Sequence, residues 1–401
     1  MNKNIKLAVA GAIFAAASAA QAGIIIPAGD WTLDISGNVN SYSNWTKFSG
    51  TSGIKGAIAD ANTTGLRSTN TMSTGLLPNF LSVAGSTRQN DLDVTFLISI
   101  NPGSFSSTAG SGGSKEEHRQ AFLTFGDKSW GTVKIGKDLG IYASDAILND
   151  MTLLGVGSGG GTRADSTSTT TLGRIGTGFQ YADWKTQIAY TTPNFSGFQA
   201  TVGLTQAWDL RTSDSTLSLA GNSSRGGAST AYEGKASYSF SANDVTGKIW
   251  VSGLSQQVKA GANNERDAWS ADIGANVNVA GLGLTGYYYA GEGTGTTFMF
   301  QDGYTAAGKK RDVDGGYVQA TYVLPTKTKV GVSWGQSNLD KNGTESVANL
   351  IKSNEMWTVG AYHPLTKHLN LVAEYNDVKS ESQGNTEGKT RTGSLGAILF
   401  F

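Results

Sequence analysis

The stretch from His118 to Tyr190 reads HRQAFLTFGDKSWGTVKIGKDLGIYASDAILNDMTLLGVGSGGGTRADSTSTTTLGRIGTGFQYADWKTQIAY, and its reading decides the fold. Two short segments of alternating apolar and polar residues, joined by a tight turn, give way to irregular chain rich in Gly, Ser and Thr, after which alternation resumes. An unstructured connection of that length inside a regular β pattern either carries function or argues against the pattern. The chain on both sides supports the pattern.

Downstream, PNFSGFQATVGLTQAW sets Phe198, Ala200, Val202 and Leu204 against Gln199, Thr201, Gly203 and Thr205, the alternation of a sheet wetted on one side. AYEGKASYSF, VTGKIWVSGLSQQ, WSADIGANVNV, LGLTGYYYAGEG, GGYVQATYVL, TKVGVSWGQS, MWTVGAYHPL and HLNLVAEYNDV repeat it. Upstream, Trp31, Leu33, Ile35, Gly37 and Val39 alternate in a first strand, and NFLSVAGST and DLDVTFLISI follow a polar stretch. Turns such as Ala280-Gly281, Pro325-Thr326-Lys327 and Thr366-Lys367 alternate with long polar loops. Short turns on one side and long loops on the other are the asymmetry of outer-membrane barrels, and the segments add up to about 16 strands. Trp31, Trp45, Trp130, Trp184, Trp250, Trp269, Trp334 and Trp357 lie near expected strand ends, as interfacial girdles require.

The two ends fit the same picture. Lys3 and Lys6 precede an apolar run from Leu7 to Ala20, and Ala20-Gln21-Ala22 suits a cleavage site; residues 1–22 read as a secretory signal peptide and 23–401 as a single barrel domain. The run falls short of the about 20 residues a membrane helix needs. TRTGSLGAILFF closes the chain on Phe401, a terminal aromatic of the kind that outer-membrane barrels end on and that their assembly machinery reads.

Composition narrows the class further. With 31 basic against 31 acidic residues, nothing implies a nucleic-acid partner. There is no cysteine to cross-link an exported chain, and Gly 54 with 38% hydrophobic residues is poor material for a globular core. A closed ladder needs only one apolar face and leaves no strand edge, so it suits such a sequence. The expected fold is an all-β, transmembrane, antiparallel up-and-down barrel, in contact with outer-membrane lipid.

Arg119 to Phe125, Gly126, Trp130 to Val133 and Gly136-Lys137-Asp138 resemble the segment of trimeric Gram-negative general porins that leads into their constriction loop. TPNFSGFQATV (192–202) and HPLTKHLNLVAEY (363–375) resemble turn and strand signatures of that family, nearest to its betaproteobacterial and neisserial branches. The resemblance implies a homotrimer and a water-filled channel for passive diffusion of small hydrophilic solutes and ions, without cofactor or catalysis. It also implies that the third outer loop, here 139–175, folds into the lumen, with loop acids facing wall bases. The wall bases are then Arg119, Lys134 and Arg174, with Lys185 competing for the place of Arg174; the loop acids are Asp138, Asp145, Asp150 and Asp165. The family's acidic loop motif is missing and LLGVGSGGG stands in its place, so the expected ion preference is weak and anionic.

Alternation tests these assignments independently. Val133 and Ile135 on the lipid side place Lys134 in the lumen; Phe179 and Tyr181, taken as lipid-facing, place Arg174 there too. A basic side chain at the bilayer midplane would cost about 2–4 kcal/mol. Arg119 shares parity with Ala121, Leu123 and Phe125, which leaves its direction open. Three other patterns carry no chemistry. Gly331-Val-Ser333-Trp-Gly335 matches a nucleophile elbow but lies within a strand. The Gly-x-Gly-x-x-Gly matches at Gly155 and Gly281 lack the strand-to-helix setting. His118, His363 and His368 do not have metal-ligand spacing. A substrate-selective channel on the same barrel and a secreted β-rich adhesin are the competing readings; the adhesin predicts repeats of fixed period, and none is visible.

Overall fold

A computed structural model describes residues 23–59, 66–104, 116–159, 169–208, 230–259, 265–343 and 345–401. The expected signal peptide and Asp165 lie outside the described residues. Among them, sixteen strands form one closed antiparallel barrel: β1 Trp31–Gly50, β2 Phe80–Gln89, β3 Leu92–Pro102, β4 Ala121–Asp127, β5 Gly131–Leu139, β6 Trp184–Thr191, β7 Phe198–Thr205, β8 Ala231–Ala242, β9 Val245–Lys259, β10 Glu265–Val279, β11 Leu282–Glu292, β12 Asp312–Val323, β13 Lys329–Leu339, β14 Ile351–Pro364, β15 Leu369–Ser382 and β16 Glu387–Phe400. Each pairs with its sequence neighbour, and β16 returns to β1 in a register running from Gly388↔Gly50 to Phe400↔Asn38. Phe401 extends this seam by exchanging backbone hydrogen bonds with Gly37. Short strands at Ser68–Ser73 and Glu116–Glu117 pair with β1 and β3 at their loop ends.

Period-two alternation sorts side chains between lipid and lumen. In β3, Ile98 and Ile100 are exposed while Thr95, Leu97, Ser99 and Asn101 are buried. The hairpin turns use residues that tolerate positive φ, such as Asn90 (49°) and Asp91 (62°), whose twist matches that of the flanking strands. Those turns share one end of the barrel with Phe401; the long connections occupy the other.

Three differences from the sequence reading have physical causes. Ile24–Ala28, not anticipated as a strand, pairs with Trp31–Ile35 of β1. Trp250 is not a girdle residue: Ile249 and Val251 take the lipid side, so Trp250 points inward and is buried, filling the space above Gly274. The third correction concerns the connection between β5 and β6, which runs to Asp183, past the expected limit of 175. RIGTGFQY alternates like a strand, but Gly173, Gly176 and Gly178 adopt φ of 57°, 75° and 151°, conformations open chiefly to glycine. They coil the segment, and Ile175 and Phe179 enter a buried cluster inside the barrel instead of facing lipid.

Candidate functional site

The chain from Gly140 to Asp183 is the third connection at the loop end, and its described parts, 140–159 and 169–183, lie inside the barrel, fastened to the wall at successive points. At its start the backbone N–H groups of Ile141 and Tyr142 donate to Glu233 Oε2 of β8 at 2.7 and 2.8 Å. The other oxygen of Glu233 accepts from Thr205 Oγ1 at 2.9 Å and pairs with Lys185 of β6. A buried carboxylate is tolerable only when its lone pairs are filled in this way. A short helix, α1 Ser144–Asn149, follows, with Asp145 in its first turn. Lys235 of β8 (3.2 Å) and Lys248 of β9 both pair with that carboxylate.

Farther round, Tyr317 Oη donates to Ala146 O at 2.8 Å, and the Gln319 amide bonds Asn149 O (3.1 Å) and Met151 N–H (2.7 Å). Tyr42 of β1 donates to Leu154 O at 2.6 Å. The glycine tract that replaces an acidic motif is then captured by an acid on the wall. Glu374 of β15 accepts from Val156 N–H (2.9 Å), Gly157 N–H (2.8 Å) and Tyr362 Oη (2.6 Å). A Cβ at Gly155 would collide with the Glu374 carboxylate. On the return, Gly178 N–H donates to Ser337 Oγ at 3.0 Å, and Gln180 bonds Thr294 and Gly295. Wall glycines make room: a Cβ at Gly335 would lie 2.5 Å from Thr177 O, and one at Gly331 would lie 3.0 Å from Met151 Cε. The two glycines of the discounted elbow motif are therefore places where the loop presses on the barrel.

Arg174 differs most from its expected role as a wall base. It sits on the loop, is 0% exposed, and donates to Met356 O and Thr358 Oγ1 of β14, each at 3.1 Å. Its Nε is 3.7 Å from Asp150 Oδ1, and its guanidinium lies over the Tyr317 ring. Lys185 does occupy the wall, but buried beneath the loop against Glu233. Arg119 turns inward because it precedes β4, so the strand's parity does not bind it. It bonds Glu117 (2.9 Å) and Thr169 of the loop (3.1 Å) and stacks on Trp184.

Lys134 faces the lumen, 32% exposed at its side chain, and pairs with Asp138. Asp138 belongs to β5 and is not a loop acid, and it also accepts from Gln120 Nε2 at 2.9 Å. Between the two, Gly136 presents bare backbone toward the lumen: a Cβ there would meet Phe122 Cα at 2.6 Å. The lysine can therefore lie along the strand to reach a residue four positions on. Asp145 and Asp150 are both on the loop and both neutralised there, by Lys235 and Lys248 and by Arg174.

The sequence reading passed over Glu233, Lys235, Lys248 and Glu374. Their signal was available: each neighbours an exposed apolar residue, Tyr232, Ile249 or Tyr375, or keeps step with one that does. Most of the anchors fall on β8 to β15 and on β1, while Arg119, just before β4, holds Thr169. Across the lumen stands the wall of β2 to β5, where Ser82 meets Ser36 of β1 (3.1 Å) and Thr95 meets Thr124 (2.5 Å) beside the Lys134–Asp138 pair.

A profile of the Gram-negative porin family matches residues 7–383. A search of curated proteins finds no match. Among solved structures, the barrel is similar to the outer membrane channel DcaP of Acinetobacter baumannii (TM-score 0.67, 16% identity, covering 95% of this chain and 100% of that one). It is similar also to the anion-selective porin from Comamonas acidovorans (0.62, 15%, 92% and 100%). OmpT of Vibrio cholerae in its trimer form gives 0.53, 11%, 92% and 99%. At these identities the structural likenesses speak for the fold.

Proposed function

This chain belongs to the Gram-negative porin family and is an outer-membrane channel for passive diffusion of small solutes, and we propose that its pore is a one-sided slot between the inward loop and the wall of β2 to β5. The observation that carries this reading is the series of anchors from Glu233 to Glu374, which holds residues 140–159 and 169–183 against the opposite wall. The solutes are small and hydrophilic, and ions pass with them. Their path runs past Lys134, whose side chain is partly exposed beside Asp138. Asp145, Asp150, Arg174 and Lys185 shape the slot by fixing the loop.

The field in such a slot depends on which charges reach water. The carboxylates of Asp145, Glu233 and Glu374 are buried under the loop, whereas the side chains of Lys134, Lys235 and Lys248 remain 32%, 24% and 32% exposed. Rings of exposed cations favour anions, so the channel weakly prefers them, as the name of the Comamonas relative suggests. The test is the reversal potential of single channels in a potassium chloride gradient: a small anionic bias is expected, and strong cation selectivity would overturn the assignment. By analogy with the trimeric OmpT, the functional unit is a homotrimer, and Phe401 at the barrel seam is the contact read during assembly.

A further inference from the structure

The lipid-facing surface of the barrel is indented over its last strands. A groove of about 820 Å³ is lined by Tyr322, Val332, Ala361, Ala373, Tyr375 and Leu395. A second, of about 480 Å³, runs between Gly286, Val318, Trp334 and Trp357, and the two share Ala320 and Val332. Small outward residues make the hollows: a Cβ added at Gly286 or Gly393 would meet nothing within 4 Å. The rims are large and exposed, Tyr322, Tyr375, Leu395 and Trp357 among them.

Directly below the shared ridge of Ala320 and Val332 lies the turn Leu324 to Thr328, which joins the two strands that carry them. Its neighbour is the turn Leu365 to His368, and His363 Nδ1 lies 2.9 Å from Thr328 Oγ1 between the two hairpins. Each turn presents one exposed lysine, Lys327 and Lys367, and neither turn contains an acidic residue. Among the described residues no carboxylate pairs with either lysine. Ala320 and Val332 are three residues above the strand ends at Val323 and Lys329, about 10 Å along the strand at about 3.3 Å per residue. That is the depth at which acyl chains begin. The end of the barrel that carries short turns faces the periplasm.

Two joined apolar grooves above a pair of unpartnered cations match one molecule with two acyl chains and one anionic phosphate. We propose that this face holds a diacyl anionic glycerophospholipid of the periplasmic leaflet, its chains in the two grooves and its phosphate between Lys327 and Lys367. The site lies on the outside of the barrel, so it is independent of the slot inside.

Delipidated protein in non-ionic detergent is titrated with dioleoyl-phosphatidylglycerol or dioleoyl-phosphatidylcholine, and bound lipid is counted by native mass spectrometry. One phosphatidylglycerol per chain is expected, retained in preference to phosphatidylcholine. Each of Lys327→Gln and Lys367→Gln should weaken it about five-fold, the worth of one lysine at an anionic surface. Gly393→Leu, which fills the larger groove, should abolish retention while leaving single-channel conductance unchanged. Equal retention of the two lipids, or indifference to both lysine variants, would overturn the proposal. So would loss of oligomers without loss of lipid in Gly393→Leu, which would make the groove a contact between copies, or displacement of phosphatidylglycerol by lipid A. Conductance measured on the same samples separates failure of this site from failure of the channel reading.

Discussion

The two sides of the lumen share one backbone pattern and differ in what their inward side chains hold. From β8 round to β1 the wall carries the large and charged inward residues that grip the loop, Glu233, Lys235, Trp250, Tyr287, Tyr317, Glu374 and Tyr42, among small ones such as Ser252, Ser333 and Ser337. From β2 to β5 small neutral residues, Ser82, Ala84, Thr95, Ser99 and Thr124, alternate with Leu97, Phe122 and the Lys134–Asp138 pair. The first set has a partner to hold; the second packs within its own wall around Leu97 and Phe122, with Lys134 partly exposed beside it. A barrel of this size has no core of its own, so the loop brings one, with Tyr142, Ile147, Leu153, Ile175 and Phe179 packing against Trp250, Tyr287 and Tyr317. The contrast teaches that the loop is better described as half of a folded interior than as a flap across a pore.

Breaking that interior should have the largest effect. Deleting Leu153 to Arg163 removes the segment bound by Glu374 and should raise single-channel conductance severalfold without preventing insertion into planar bilayers; unchanged conductance would place the segment outside the path. Arg174→Ala leaves Asp150 as an uncompensated buried charge, a change that costs about 3–5 kcal/mol. The urea midpoint in detergent should fall, and open-channel noise should rise as the return arm loosens from β14. Gly155→Ala is a milder insult, because the Glu374 carboxylate must shift; overpacking of this kind costs about 1–3 kcal/mol and should appear as subconductance flicker.

The open side should answer in selectivity, with stability little changed. Lys134→Gln is expected to shift the reversal potential toward cations with the urea midpoint unaltered, whereas Lys185→Gln, beneath the loop, should do the reverse. Smallest of all is an effect at the loop end of the barrel, where Arg311 makes a bidentate pair with Glu345 at 2.8 and 2.7 Å. Burial alone would raise the Glu345 carboxyl; its bonds to Arg311 outweigh that and hold it below its usual range. A depressed carboxyl stabilises above its unfolded pKa and loses that contribution as pH falls through the folded one. Proteolysis of residues 340–350 should therefore quicken only in acid, and Glu345→Gln should remove the pH dependence.

How much of this was legible follows residue by residue. Lys134 lies on the lumen side of β5, the side opposite to its β-branched neighbours Val133 and Ile135, because alternation holds in a true strand. Arg174 was misplaced because the same alternation occurs in RIGTGFQY, and period two does not report the sign of φ at Gly176 or Gly178. Asp145 and Asp150 were recognised as loop acids, yet their neutralisation by Lys235, Lys248 and Arg174 was not, since those partners are distant in sequence or were assigned to the wrong surface.

The sequence by itself determined the barrel, its closure near Phe401 and its short and long connections. All of these depend on local periodicity, turn chemistry and chain length. The tertiary structure decided which carboxylates belong to the wall, which cations remain exposed to water, and that a glycine tract is held by Glu374 218 and 217 residues away. The physical reason is that burial and ion pairing are set by what approaches through space, and strand parity fixes only the direction in which a side chain sets out.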